Sequence, residues 1–132
     1  MNKEMVISRI VDDGPSEPLL DACVRLVEYL YSYEDISHLT FTRLGRIVQS
    51  EDSLLLLQMT QYLAGAGVQL LDVRFELIID DEVFDLDSEY LEDARRTNRL
   101  MHPEAGVEIF DYESKVYPYF VPSQVVLEGR RR

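Results

Sequence analysis

With 132 residues, 46% of them apolar, and a formal net charge of −12, the chain has the size of one ordinary domain that can bury its own core. That charge disfavours nucleic acid and anionic membrane surfaces as partners of the chain as a whole. The lone cysteine, Cys23, excludes an intrachain disulfide; no apolar run approaches the ~18 residues that span a bilayer; and Lys3, Glu4 and Arg9 break up the N-terminal apolar residues, so no secretory signal is expected and the chain reads as cytoplasmic, without membrane contact.

In chain order, residues 5–11 are expected as a strand or a loosely attached arm, set off by the turn residues Asp12, Asp13, Gly14, Pro15 and Ser16. A first helix is predicted over 17–33, because Leu19, Cys23, Leu26, Val27 and Leu30 recur on one helical face and Pro18 suits a first turn. Cys23 belongs to that stripe and reads as a small buried hydrophobe. Residues 36–39 form a short apolar stretch able to pair as a small strand. A second helix over 42–49 turns Phe41, Leu44, Ile47 and Val48 inward and leaves Arg43 and Arg46 outside. Ser50 is the expected N-cap of a third helix over 51–64, with Glu51 and Asp52 in its first turn and Gly65 or Gly67 closing it. The run from Leu54 to Leu57 is apolar nearly all round.

At residue 71 the period changes to two. Leu71, Val73, Phe75, Leu77 and Ile79 alternate with Asp72, Arg74, Glu76 and Ile78, the pattern of a half-buried strand. Asp80, Asp81 and Glu82 form the connection, and residues 83–86 return as the second strand of a hairpin. Ser88 opens a further helix to about Met101, with Arg95, Arg96 and Arg99 in its later half. His102 and Pro103 stop it. Residues 107–122 read as a short aromatic extension limited by Pro118 and Pro122, and 130–132 as a frayed end.

Helix, short strand, two helices and a hairpin over about residues 17–87 resemble the winged-helix superfamily in element order and length. The resemblance implies an α+β fold: a winged-helix-like three-helix core with a β-hairpin wing, here extended by a C-terminal helix and an aromatic tail, all in one domain over 1–132. In DNA-binding members the third helix enters the major groove. Here that helix carries no Lys or Arg and offers only Gln58, Thr60 and Gln61 to bases. From Asp72 to Asp93 there are ten acids and one base, Arg74, so this wing repels phosphate.

Catalytic and cofactor chemistry is not expected. His38 and His102 are the only histidines and neither lies in a nucleophile motif. Gly65-Ala66-Gly67 lacks the Lys-Ser/Thr of a phosphate loop, and a zinc site lacks ligands. Asp85-Leu86-Asp87-Ser88-Glu89 only weakly resembles the start of a calcium loop.

Three readings of function remain. The first is a non-catalytic protein-interaction module, an adaptor or regulatory subunit of a larger, bacterial complex such as an ATPase or nuclease system. Its candidate contacts are the acidic residues Asp80, Asp81, Glu82, Asp85 and Asp87, which suit a partner with a basic surface, and the aromatics Tyr117, Tyr119 and Phe120. The run from Leu54 to Leu57 offers a homodimer contact. Against these stand plainer readings: an acidic strip is more often a solvated face, a leucine run more often core, and an aromatic tail more often wraps back onto its domain. The second reading is a transcriptional regulator binding DNA through Arg43, Arg46, Arg95, Arg96 and Arg99. The third, which the sequence supports poorly, is a small hydrolase using the carboxylates of Asp80, Asp81, Glu82, Asp85 and Asp87 with a metal; its non-enzymatic variant, ranked close behind the adaptor, is an acidic DNA-mimicking or toxin-neutralising protein.

Overall fold

The computed structural model describes residues 1–130. It is a mixed α+β chain with helices α1 (Lys3–Asp13), α2 (Leu19–Ser32), α3 (Phe41–Val48), α4 (Ser53–Ala64), α5 (Ser88–Thr97) and α6 (Gln124–Gly129). Its strands are β1 (Leu71–Ile79), β2 (Glu82–Leu86), β3 (Leu100–Met101), β4 (Glu108–Ile109) and β5 (Val116–Pro122). The chain divides into two compact units: residues 1–72 with 120 onward, and residues 73–119.

The first unit is helical. Residues 5–11, expected as a strand or arm, are the body of α1. The Asn2 side chain accepts the Met5 N–H at 2.9 Å, Gly14 closes the helix at φ 74°, and Val6 and Ile10, one turn apart, are both fully buried. The predicted stripe of α2 is buried as Ala22, Cys23, Leu26, Val27 and Leu30, with Leu19 only half covered. Arg130 is bonded where a frayed end was expected: its guanidinium donates to the Leu30 carbonyl in the last turn of α2, 2.8 Å from Nε, and to the Glu34 carbonyl. Residues 131 and 132 of that expected end lie outside the described residues.

Between α3 and α4 the chain turns within four residues. Thr40 caps α3, Gln49 leaves it in the left-handed region, and the Ser50 N–H returns to the Gly45 carbonyl at 2.9 Å. A Cβ on Gly45 would stand 2.7 Å from the Ser50 carbonyl oxygen, so the turn requires glycine there. The N-cap of α4 is Asp52, which accepts from Leu54 and Leu55, rather than Ser50, whose hydroxyl accepts from Asp52 instead. Helix α4 buries Leu55, Leu56, Met59, Thr60 and Leu63 but leaves Leu54 and Leu57 62% and 43% exposed. Thr60, once a candidate base contact, is buried with its hydroxyl donating to Leu57 O. The expected small strand reduces to one bridge, where Leu39 and Phe120 exchange both backbone hydrogen bonds at 2.9 Å.

The second unit is built on the sheet β2-β1-β5 and the short pair β3-β4. β1 and β2 pair antiparallel from Phe75↔Leu86 to Ile79↔Glu82. Glu82 is therefore part of the ladder, and the turn is Asp80-Asp81 alone, both left-handed (φ 49° and 66°). The expected alternation fails at two positions of β1: Val73 is exposed and Glu76, on the opposite face, is buried. Helix α5 ends at Asn98 (φ 59°) rather than near Met101, because Leu100 and Met101 leave to pair with Ile109 and Glu108. Leu77, Leu86, Leu91, Ala94, Leu100, Ile109 and Tyr112 form this unit's core. The expected aromatic tail is strand β5, followed by α6, which had no counterpart among the expected elements.

Candidate protein-interaction surface

The hairpin tip follows from turn geometry. A two-residue turn with both residues at positive φ matches the strand twist, and aspartate tolerates that conformation better than most side chains. Asp80 and Asp81 thus have a conformational reason to stand where they do, and their carboxylates project into solvent with that of Glu82. None of the three carboxylates makes a hydrogen bond or ion pair among the described residues.

The other two acidic candidates are occupied. The Asp85 carboxylate accepts the Tyr119 hydroxyl at 2.9 Å, and Asp87 caps α5 by accepting the Tyr90 N–H at 2.8 Å. Burial, reinforced by the bond to Asp85, raises the Tyr119 phenol above its ordinary range. Tyr119 is only 6% exposed, so it holds Asp85 in place and offers little surface. Phe120 is 5% exposed and meets Phe41 edge-on at 5.7 Å in the helical core. Of the three aromatic candidates only Tyr117, 47% exposed, presents area to a partner.

The arginines are divided between the units. In the helical unit, Arg43 donates to the His38 carbonyl at 3.3 Å and to the Tyr29 hydroxyl at 3.4 Å. Arg46, in the last turn of α3, has no ion pair among the described residues and lines a groove of about 660 Å³ with Phe41, Thr42, Gln49 and Ser53. In the sheet unit, Arg95 lies over the Phe75 ring at 5.6 Å, Arg96 pairs with Asp93 at 2.9 Å and Arg99 with Glu108 at 3.1 Å. The sheet unit carries thirteen acids against five bases, a net charge of −8 on 47 residues.

Cys23 and His102 are both engaged within the fold. Cys23 is fully buried and its thiol is pushed up to about 12 by burial, which leaves no thiolate at neutral pH. His102 Nδ1 accepts the N–H groups of Glu104 and Ala105 at 3.1 and 3.0 Å, and its ring meets Phe84 edge-on at 4.7 Å. Among the described residues no group of three or more His, Cys, Asp or Glu could hold a metal ion, and no helix is long and apolar enough to cross a membrane.

One surface feature escaped the sequence reading. Ile78 and Val83 stand directly opposite each other on β1 and β2, and both side chains are exposed. The available signal was Ile78 itself, an apolar residue at a position where the alternation called for a polar one. Comparison of the chain with protein-family models, curated proteins and solved structures finds no match.

Proposed function

We propose that the chain is a non-catalytic protein-interaction module, an adaptor or regulatory subunit, which contacts a basic protein partner through its acidic sheet unit. The observation that carries this reading is the net −8 of residues 73–119, with Asp80, Asp81 and Glu82 exposed, and unpaired among the described residues, at the turn of the β1–β2 hairpin. Exposed carboxylates at a hydrogen-bonded hairpin turn steer and orient a cationic partner at little cost, since no ion pair must be broken to engage them. A winged-helix-like scaffold accords with the order α2, α3, α4, β1, β2 and with the bridge at Leu39. The apolar pair Ile78 and Val83 supplies the contact area that charge alone lacks.

The DNA-binding alternative needs Arg43, Arg46, Arg95, Arg96 and Arg99 free for phosphates. Two of them form ion pairs, one stacks on Phe75 and one bonds to His38 and Tyr29, so a phosphate contact at any of these four would first break an existing one, whereas Arg46 has no ion pair to break among the described residues. A DNA-mimicking or toxin-neutralising protein shares the acidic surface and differs only in the partner that surface meets.

The test is capture of native partners on the immobilised chain, with and without nuclease treatment, in low and high salt. A stoichiometric protein retained after nuclease and released by salt supports the proposal and identifies the complex. Retention of nucleic acid in place of protein contradicts it.

A further inference from the structure

The outer edge of the sheet holds backbone groups that nothing in this unit satisfies. β2 lies at the end of the order β2-β1-β5 and bonds only to β1. The two-residue turn fixes which groups face where. Ile79 and Glu82 flank it as a hydrogen-bonded pair, so in the next pair, Ile78↔Val83, the backbone groups point away from each other. The Ile78 N–H accordingly donates to the Lys115 carbonyl on the far side at 2.9 Å. By the same alternation the N–H and C=O of Val83 and of Asp85 point off the free edge, and neither residue forms a backbone hydrogen bond there among the described residues.

Charge selects the occupant. A second copy of this chain paired edge to edge would set Glu82 and Asp85 against their own kind, an arrangement that like charges disfavour and that natural sheets use to prevent such pairing. A cationic strand meets the opposite situation. Beside it lie Asp80, Asp81, Glu82 and Asp85, and between them Val83, 57% exposed, with Ile78 across the ladder.

We propose that the β2 edge accepts an extended, basic segment of a partner protein as an added strand. Its backbone bonds to Val83 and Asp85; alternate side chains rest on Val83 beside Ile78, and the Lys or Arg side chains between them, on the opposite face, reach Glu82 and the turn carboxylates Asp80 and Asp81. The inference rests on the protein-interaction reading above and adds the mode of binding.

The probe is a synthetic hexapeptide of alternating lysine and valine, with a version N-methylated at every residue that keeps the charge but can pair at neither edge. Amide exchange of the isotopically labelled full chain is followed by NMR. The expected result is slowing by roughly tenfold at Val83 and Asp85 with the plain peptide and none with the N-methylated one. Val83→Pro removes an outward N–H and no bond of the β1 ladder, so it should keep the fold and weaken the plain peptide by roughly tenfold. Binding that leaves those amides unprotected, or that Val83→Pro does not weaken, overturns strand addition while leaving a charge-guided protein contact standing. Absence of peptide binding, or protection that arises instead from self-association of the chain, overturns it as well. The native capture experiment judges the protein-interaction reading separately.

Discussion

The helical unit and the sheet unit solve the stability problem with different means. The first buries twenty residues in one apolar cluster drawn from α1, α2, α3, α4, α6, the loops before α3 and β1, and the strand ends. The second has seven buried residues in its apolar cluster, small Ala94 and aromatic Tyr112 among them, and carries two-thirds of the chain's net negative charge. Hydrophobic burial dominates folding free energy, whereas like charges on a small unit oppose compaction. The helical unit thus concentrates apolar burial, while the sheet unit retains charge and open edge that stability alone does not favour. Ordered turns and caps, Asp87 on α5 and Tyr119 on Asp85 among them, hold the second unit where its core is thin.

The comparison is most severely tested by core truncation. Leu26→Ala, at a fully buried position of α2, is expected to cost about 2–5 kcal/mol in denaturant unfolding. Leu77→Ala in the sheet unit should fall at the lower end of that range, since a sparse core collapses around a cavity more readily. A reversed order would break the proposed division of labour. Next in size is Gly45→Ala, expected to cost about 1–3 kcal/mol because the new methyl meets the backbone of Ser50. Gly67→Ala, whose nearest neighbour would be an arginine tip at 3.9 Å, should stay within about 0.5 kcal/mol of the parent in the same assay.

Much of this division was legible from residues alone, because it rests on periodicity. The stripe of α2, the helix pair α3–α4 and the β1–β2 hairpin follow from spacings of 3.6 and 2. Helix α1 was missed since only Val6 and Ile10 are buried on it and charged residues fill the rest; Asn2 before it and Gly14 after it were the caps that could have disclosed it. β5 was missed for a different reason. Its partners lie far away in sequence, so Tyr119 and Phe120 are buried on successive positions by pairing that no local window contains. Of the candidate contacts, the exposed tip Asp80, Asp81 and Glu82 was readable from turn chemistry. The occupied states of Asp85, Asp87, Tyr119 and Phe120 depend on long-range or capping bonds.

A smaller effect separates the units by charge. Raising ionic strength from about 0.01 M to 0.15 M shortens the screening length from about 30 Å to 8 Å. Amides of β1 and β2 should then gain a few-fold in exchange protection while those of α2 barely change. Equal gains in both units would show that self-repulsion does not distinguish them. The smallest effect lies at the end of α1. The Tyr62 hydroxyl donates to Asp13 at 2.5 Å, and this bond, ahead of the nearby Arg9, holds the carboxyl below its ordinary 3.8. A carboxyl lowered in the folded state stabilises above its unfolded pKa, and that contribution is lost as pH falls through the folded value. Tyr62→Phe should therefore return Asp13 toward its ordinary value in an NMR carboxyl titration and move the acid unfolding limb slightly upward in pH. An unchanged Asp13 titration would contradict the bond.

The central claim, that the hairpin acids serve a partner and not the fold, is tested most directly by Asp80→Asn combined with Asp81→Gly. Asn-Gly is the preferred sequence for this turn, so the variant removes two charges while leaving the hairpin as stable or up to about 1 kcal/mol more so. Stability and affinity for the captured partner are measured on the same preparation at low salt. The account predicts retained or increased stability with affinity reduced several-fold, chiefly through slower association. Unchanged affinity in the intact hairpin would contradict it.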